Sequence, residues 1–523
     1  MSAIHIQILN TIKRREWLIV ISCLLIGFAL RFYTFDQKSL WLDEIHTFND
    51  SRYSLKDHLE FYKEDPTYLH PPLFFVLTHL FHPFTKPERD LRIIPLIFGT
   101  LSIPMIYFLS RLFSPNIALP CTLSLTFMVY HISLSQDGRF YSWLMFIGIL
   151  VLYCFMKHLH TLKKIYLIFT AIFVAILFYS SYSSIPFILS LQILWFYGVG
   201  EDVRKTHFPS FLILITLIFL LCFPWITYLF INYKGQPMMD PLHTEGTGTF
   251  GSILYWILHD WVLHVPLIIA SLILLALLPF FSKKKKNAFS LLAVWFLPIG
   301  GVYLICKVLN IFHFITSRYF INLLPLFLIS IYLSLTTIES TFERFRNNRR
   351  LTILFVIFLV ASNLIILPLY YQSGKQDFSR LVVFLKSHLK EGDKVFVTSH
   401  GYIPGILHYL KVYPEGRHYV FPVQRDNENK IEFIVPFVHQ NRRFNIYHSK
   451  NCCTQYVLDK TRLWIVAEKQ SAKEMRKLSP LIMKGYFDGS FLNFTKFPED
   501  GSMYLFLWDP KSQGEKETDL PIE

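Results

Sequence analysis

The chain has 523 residues, of which 53% are hydrophobic and 17% charged, and its formal net charge is +14. So apolar a composition excludes an ordinary soluble enzyme and indicates a chain embedded in lipid. The positive charge does not indicate a nucleic-acid partner, because the basic residues form short clusters between hydrophobic runs, where the positive-inside rule places cytoplasmic loops. These clusters are Lys13–Arg15, Lys157–Lys164, Arg204–Lys205, Lys283–Lys286 and Arg344–Arg350.

The first 371 residues consist mostly of hydrophobic runs, many of them close to the roughly 20 residues that cross a bilayer. We predict about eleven membrane spans, with the N-terminus in the cytoplasm and the C-terminal region outside. The predicted spans are residues 17–35, 92–112, 116–135, 141–157, 165–182, 184–198, 208–231, 258–281, 288–308, 319–337 and 351–370.

The apolar stretch from His70 to Phe84 is not counted as a span. At about 14 residues it is too short for a relaxed span. Counting it would also place three later basic clusters on the side opposite Lys13–Arg15, against the positive-inside rule. We interpret it as an interfacial or re-entrant helix within a large external loop, residues 36–91.

Beyond residue 371 the hydrophobicity falls, and strand-like runs alternate with amphipathic helical ones. This pattern predicts a small α/β extracytoplasmic domain at residues 372–510, followed by a disordered tail at 511–523. The predicted fold class is an all-α polytopic membrane domain, residues 1–371, followed by this α/β domain. The predicted elements beyond the membrane are helices at 377–390 and 471–484 and strands at 395–397, 463–466 and 503–508.

Two adjacent carboxylates, Asp43 and Glu44, follow the first predicted span. Ionisable groups close to a membrane are costly, so a pair of acids at this position is a candidate functional site. The alternative is that both are solvated loop acids just outside the bilayer. Features elsewhere in the chain favour the functional interpretation.

The predicted topology gathers further polar residues at the same membrane face: His70, Asp137, Arg139 and Arg318. Such a set suits transfer of a group from a lipid-linked phosphate. A carboxylate base deprotonates an acceptor hydroxyl, and arginine forks hold the departing phosphate. A divalent metal ion bound by Asp43, Asp137 or a histidine is another means of holding that phosphate, although the sequence does not require one.

Each of these residues also has a purely structural explanation. Asp137 and Arg139 can form a local ion pair that ends two spans. His70 precedes two prolines and suits a helix entry, and Arg318 suits an anchor at the membrane interface. The same anchoring role suits two other cations near this face, Arg31 and Arg92.

Four motifs, in order along the chain, resemble those of a known glycosyltransferase superfamily. The chain resembles the polytopic transferases of the C-type fold, which use polyprenyl-phosphate sugars. Among them it is most similar to bacterial relatives of the dolichyl-phosphate-mannose–protein mannosyltransferases, including the lipid A aminoarabinose transferases. The stretch that begins at Lys375 is similar to the start of the periplasmic domain in many such proteins. The four motifs are Leu40–Glu44, His70–Leu73, Gln136–Ser142 and Ser317–Phe320.

The resemblance implies roles for individual residues. Asp43 would be the catalytic base, and Glu44 would assist it or position the acceptor. Asp137 would be a second acid, at a position where many relatives carry glutamate, whose side chain is one methylene longer. The reaction would invert the anomeric carbon in a single displacement. The implied ligands of the donor phosphate are Arg139, Arg318 and His70.

The implied function is that of a hexosyl- or pentosyltransferase in the cell inner membrane. It would move a sugar from a polyprenyl-phosphate donor to lipid A, a cell-surface glycan or a protein on the extracytoplasmic face. One alternative is a glycan ligase of the oligosaccharyltransferase type that uses a polyprenyl-diphosphate donor. A transporter would be expected to carry polar groups near the bilayer midplane and related halves, neither of which is evident. A non-enzymatic scaffold would not need three acids on one face.

Overall fold

A computed structural model describes residues 3–64, 70–196, 201–232, 248–309, 315–342, 349–413, 433–448, 461–477, 481–491 and 501–510. The predicted disordered tail, 511–523, lies outside these ranges. The helices before the sheet are α1 (Ala3–Phe32), α2 (Leu42–Ser51), α3 (Leu55–Glu64), α4 (Leu73–His79), α5 (Pro87–Asp90), α6 (Ile93–Phe113), α7 (Ala118–Phe127), α8 (Val129–Ser135), α9 (Tyr141–Thr161), α10 (Lys164–Ser180), α11 (Ile185–Leu191), α12 (Glu201–Asn232), α13 (Phe250–Val262), α14 (Val265–Phe281), α15 (Lys285–Val308), α16 (Leu324–Thr341) and α17 (Arg350–Gln372).

The protein is a multi-pass membrane protein. Large apolar side chains of α1, α12 and α17 are exposed, as expected for surfaces that face lipid. The prediction of about eleven spans stays a prediction, because only six helices in the described ranges are long and apolar enough to cross a membrane, or eight if each of two bent pairs is one span. The six are Pro87–Phe113, Tyr141–Thr161, Phe208–Asn232, Lys285–Val308, Ser317–Thr341 and Arg350–Gln372.

The stretch predicted as one span at 116–135 is bent. Helices α7 and α8 meet at an angle of 60°. At the bend the carbonyl oxygens of Leu125 and Thr126 accept hydrogen bonds from the buried guanidinium of Arg31, at 3.0 and 3.2 Å. The side chain of Asn363 accepts the first main-chain N–H of α8, at 2.7 Å. Arg31 thus satisfies main-chain groups that a broken helix exposes.

The stretch predicted as a span at 258–281 is broken as well. Helices α13 and α14 meet at 108°, so the structure differs from a single straight helix. Leu263 between them has a φ of 67°, outside the helical range. Pro266 lies in the first turn of α14, where its missing N–H costs nothing and its ring stops the preceding helix.

The first loop folds into the short helices α2 to α5. Helix α4 covers Leu73–His79, so the helix predicted over His70–Phe84 is shorter than expected. The loop is not simply solvated: Leu40, Ile45 and Phe48 are buried, and they share a hydrophobic core with elements beyond residue 378. The first loop therefore packs against the C-terminal region.

The C-terminal region contains a six-stranded mixed sheet with the order β2-β3-β1-β4-β6-β5. Strand β1 pairs in parallel with β3 and β4, and the outer pairs are antiparallel. We call this sheet with its helices the sheet domain. Its elements are α18 (Phe378–His388), β1 (Lys394–Val397), α19 (Ile403–Leu410), β2 (Phe433–His439), β3 (Arg442–His448), β4 (Leu463–Ala467), α20 (Lys469–Met475), β5 (Ile482–Phe487) and β6 (Met503–Trp508).

The sheet corrects one predicted helix and adds a hairpin. The helix predicted at 471–484 ends at Met475. The later part of that stretch belongs to strand β5, which pairs with β6 and whose residues alternate between partly exposed and buried. The hairpin of β2 and β3 was not predicted. Its two turn residues, Gln440 and Asn441, both have positive φ, as type I′ turns require. Pro436 fits because β2 is an edge strand.

Candidate active site

The acidic motif forms the first turn of α2. Trp41 is the N-cap residue, in an extended conformation, and its main-chain N–H donates to Oε2 of Glu44 at 3.3 Å. A glutamate three residues into a helix commonly folds back in this way. Asp43 and Glu44 also lie where the helix dipole favours negative charge. The motif is therefore a helix start that carries two acids.

Glu44 is completely buried, and both of its oxygens are occupied. Arg92 forms a bidentate ion pair with Glu44, in which Nε and a terminal nitrogen each donate to a different carboxylate oxygen at 2.7 Å. The main-chain N–H of Gly138 donates to Oε1 at 2.6 Å, and Nζ of Lys375 lies 3.4 Å from the same atom. Together with the Trp41 N–H, these contacts give both oxygens of Glu44 hydrogen-bond donors from the protein itself.

Arg92 links this carboxylate to the chain that leads into the motif. Its terminal nitrogens also donate to the carbonyl oxygens of Phe35, Lys38 and Ser39, at 2.9 to 3.0 Å. A buried guanidinium with all its donors in use fixes the shape of the segment it binds. Arg92 therefore holds residues 35–44 in place, beyond the interfacial anchoring expected from its position.

Asp137 is the second buried acid. Its Oδ1 accepts a hydrogen bond from the indole of Trp41 at 2.7 Å and lies 3.3 Å from Nζ of Lys375. The ion pair with Arg139, which was the alternative structural explanation for both residues, is not formed within the described residues. The following residue is Gly138, where a Cβ would lie 3.2 Å from an oxygen of Glu44. The glycine lets this loop approach the acidic helix closely.

The two buried acids differ in their electrostatics. Burial opposes the charge of Glu44, but Arg92 and Lys375 more than offset it and lower its pKa to about 2. Burial raises the pKa of Asp137, and the neighbouring charge of Glu44 raises it further, while Lys375 acts in the opposite direction. Lys375 is thus the largest of the neighbours that oppose the rise in the pKa of Asp137.

Asp43 is the most exposed of the three acids. Its side chain is 22% exposed, against 0% for Glu44 and 7% for Asp137. One oxygen lies 3.5 Å from a terminal nitrogen of Arg318. Its main-chain carbonyl accepts bonds from Arg139 at 3.1 Å and from the hydroxyl of a residue one helical turn later at 3.2 Å. The carboxylate is thus positioned yet accessible.

The two arginines flank Asp43 in different ways. Arg318 lies over the rings of Trp41 and Tyr141, with its central carbon 5.2 and 5.3 Å from the ring centres. Arg139 donates to main-chain and hydroxyl oxygens, and no carboxylate in the described ranges forms an ion pair with it. A guanidinium without a paired carboxylate beside an accessible acid suits binding of an anion.

A network of hydrogen bonds among the membrane helices fixes the main chain next to Arg318. Ser317 donates to a carboxylate oxygen of Asp260 at 2.5 Å and bonds the hydroxyl of Tyr130 at 2.7 Å. These bonds tie the 3₁₀ segment Ser317–Leu323 to α13 and α8. Position 318 is thereby fixed relative to the acids, a requirement for precise electrostatic chemistry.

The histidines of the first loop lie at the edge of this group. His70 is exposed just before α4. It lies close enough to Arg139 and Asp43 for the charges of both residues to affect the pKa of its imidazole ring. His46 lies one turn beyond Asp43; burial lowers its pKa, so its ring is neutral at neutral pH. The structure therefore brings His70 close to the other predicted site residues.

The acids do not form a metal site in the part of the chain that the structure describes. No three histidine, cysteine or acidic side chains there are placed to hold a metal ion. Asp43 instead faces Arg318, and Asp137 is bonded to Trp41 and Lys375. The donor set does not fit a divalent ion, so the arginines are the candidate holders of a phosphate.

The six residues that the sequence predicts for the site lie near one another, and two others that the sequence analysis did not select contact them. Lys375 and Gln376 enter the site from beyond the last membrane helix: Lys375 contacts two acids, and Gln376 accepts the main-chain N–H of Leu42 at 2.9 Å. One signal was available. A lysine directly beyond a span on the predicted outer side runs against the positive-inside rule, which suggests a specific use.

Comparisons with known proteins concern the family and the fold. A family model described as dolichyl-phosphate-mannose-protein mannosyltransferase matches residues 69–228. The fold matches crystal structures of ArnT from Cupriavidus metallidurans. For the apo state the TM-score is 0.53 at 10% identity, covering 95% of this chain and 98% of that chain. For the complex with undecaprenyl phosphate it is 0.53 at 11% identity, covering 94% and 97%. None of the curated proteins matches the chain.

Proposed function

We propose that this chain is a C-type-fold glycosyltransferase of the protein mannosyltransferase and lipid A aminoarabinose transferase superfamily, and that it transfers a sugar from a polyprenyl-phosphate donor to a hydroxyl or phosphate acceptor. The observation that carries the proposal is the accessible carboxylate of Asp43 between two arginines, Arg139 and Arg318. The ArnT structure bound to undecaprenyl phosphate supports a donor of that class.

The proposed reaction is a single displacement. Asp43 takes the proton of the acceptor hydroxyl as its oxygen attacks the anomeric carbon from the face opposite the phosphate. The bond from the anomeric carbon to the phosphate oxygen breaks, and polyprenyl phosphate leaves with its electron pair. Arg139, Arg318 and His70 bind that phosphate as its negative charge grows. The product has inverted configuration.

The buried acids have a supporting role in this proposal. Glu44 has its oxygens filled by Arg92, Gly138 and Trp41, so it fixes the start of α2 rather than contacting the acceptor. Asp137 orients Trp41, whose ring packs against Arg318. The site would work on the extracytoplasmic side of the cell inner membrane, with the N-terminus in the cytoplasm, as the charge distribution of the loops favours.

The test is release of free polyprenyl phosphate by purified protein in nanodiscs. Radiolabelled polyprenyl-phosphate hexoses and aminosugars are supplied together with envelope extracts as acceptors. We expect turnover with at least one phosphate-linked donor and none with the matching diphosphate-linked donor. Turnover with the diphosphate donor alone would instead identify a glycan ligase.

Arg139 gives a separate prediction about donor binding. Arg139→Met should weaken binding of undecaprenyl phosphate by about 10- to 100-fold, because hydrogen bonds to charged groups contribute about 1.5–3 kcal/mol. Binding can be measured by thermophoresis in detergent. Arg89→Met is the matched control, since Arg89 is half exposed and pairs with Asp90. Equal affinities of both variants and wild type would remove Arg139 from the phosphate site.

A further inference from the structure

Lys375 reaches the acid cluster from the segment that joins α17 to the sheet domain. The side chain is 6% exposed. Its Nζ donates to the carbonyl oxygen of Gln136 at 3.1 Å and lies 3.3 and 3.4 Å from oxygens of Asp137 and Glu44. One buried ammonium thus serves two buried carboxylates from distant parts of the chain. Such a cation is costly to bury unless it is paired, as it is here.

The segment that carries Lys375 is held rigidly by the sheet domain. The main-chain N–H of Gly374 donates to the carboxylate of Asp488 at 2.6 Å, and the N–H of Asp377 donates to its carbonyl at 3.2 Å. A Cβ at position 374 would lie 2.7 Å from that carbonyl oxygen, so the close approach requires glycine. The position of Lys375 therefore depends on the docked sheet domain.

The sheet domain also contacts the first loop, including helix α2, directly. The hydroxyl of Tyr409 accepts the main-chain N–H of Leu40 at 2.8 Å and donates to Glu88 at 2.9 Å. Phe48 packs edge-on against His408, with ring centres 4.6 Å apart. These contacts, with the shared hydrophobic core, make the first loop and the sheet domain one packed unit.

A chain of contacts leads from Lys375 to the accessible acid. Lys375 pairs with Asp137, which accepts the indole N–H of Trp41; that ring packs against Arg318, which faces Asp43. Without the ammonium, burial and the nearby carboxylate of the cluster favour the protonated form of Asp137, which is a weaker acceptor for the indole.

We propose that Lys375 is a positioning residue of the transfer site, through which the docked sheet domain holds Asp137, Trp41 and Arg318 in the arrangement that Asp43 needs. The inference rests on the proposed function and deepens it. It gives the sheet domain a role in the reaction, although the domain supplies no group that touches the reacting atoms.

The test is the steady-state kinetics of Lys375→Met, which removes the charge and keeps an unbranched side chain. We expect kcat for polyprenyl phosphate release to fall about 100-fold, the size of effect expected when a site is displaced by about 1 Å. The KM for the donor should change by less than about threefold. The acidic limb of the kcat profile should move to higher pH, because Asp137 then protonates more readily, whereas Lys375→Arg should keep the limb at the wild-type pH.

Two comparisons separate this role from a general loss of folding. The double variant of Lys375→Met and Asp137→Asn should be no slower than the slower single variant, because both break the same contact. Lys386→Met is the control, since that lysine lies in the sheet domain and donates to the carbonyl of Tyr409. It should leave kcat and the pH profile unchanged.

The outcomes distinguish the two proposals. Wild-type turnover with an unchanged kcat in Lys375→Met, or multiplied losses in the double variant, overturns the role of Lys375 alone. A folded Lys375→Met with a lower kcat but an unshifted acidic limb also overturns it. A wild type that binds polyprenyl phosphate yet turns over no donor contradicts the proposed function, and the positioning role with it.

Discussion

Replacement of Asp43 by asparagine is expected to lower kcat for sugar transfer by about 10²- to 10⁴-fold, the usual contribution of a general base. Asparagine keeps the size of the side chain and its place beside Arg318, so the affinity for polyprenyl phosphate should stay close to that of wild type. Release of free polyprenyl phosphate from a labelled donor measures the rate, and thermophoresis measures the affinity.

Asp36→Asn is the matched control for this experiment. Asp36 lies in the same loop and pairs with the exposed Lys86 at 2.6 Å, away from the arginines of the site. It should leave the rate unchanged. If Asp43→Asn keeps more than about a tenth of the wild-type kcat, Asp43 is not the base and the proposed assignment is wrong.

Replacement of Arg92 by methionine is expected to lower the free energy of unfolding by about 3–5 kcal/mol, the loss found when one partner of a buried ion pair is removed. Glu44 would remain buried without its fork, and three carbonyl oxygens of the first loop would lose their donor. The unfolding midpoint in a detergent titration measures the change. If the variant is too unstable to purify, the same loss of stability should appear as aggregated protein during expression.

Arg111→Met provides the comparison. Arg111 pairs with Glu16 at the same distance, 2.7 Å, but both side chains are partly exposed, at 37% and 26%. Exposed pairs contribute about 0–1 kcal/mol. If both variants lost similar amounts of unfolding free energy, the buried pair would contribute no more to stability than the exposed one, which would contradict the prediction.

Glu44 also gives the wild-type protein a pH dependence. Its pKa in the folded state is about 2, below the ordinary value of 4.5, so the folded state favours the ionised form. The stability from this shift is present above about pH 4.5 and is lost as the pH falls towards 2. Arg92→Met should weaken this dependence, because Arg92 is the largest of the contributions that lower the pKa of Glu44 against the effect of burial.

The difference between Asp43 and Glu44 shows where sequence reasoning stops. Both are acids in one motif, and the sequence assigns both to the same site. Successive residues on a helix point about 100° apart. Once α2 packs on the arginine fork, Glu44 faces inward and Asp43 faces the arginines. Which carboxylate is accessible is decided by the packing of the helix.

The two bent helices and strand β5 also depend on contacts that the local sequence does not specify. The hydrophobic runs predicted the helices at 116–135 and 258–281, but hydropathy carries no information on direction, and both are bent. Residues 482–487 follow a helical stretch in sequence and form a strand only because β6 offers a partner. Pairing with a distant segment overrides local preference.

By itself, the sequence indicated a multi-pass membrane protein and predicted that its acids and arginines lie at one membrane face. Span length and charge clusters are local properties, and the order of the four motifs is read directly from the chain. Only the tertiary structure decided which acid is accessible, that Arg92 is a structural partner, and that Lys375 joins residues more than 200 positions away. Those facts depend on contacts between distant segments, which local pattern does not encode.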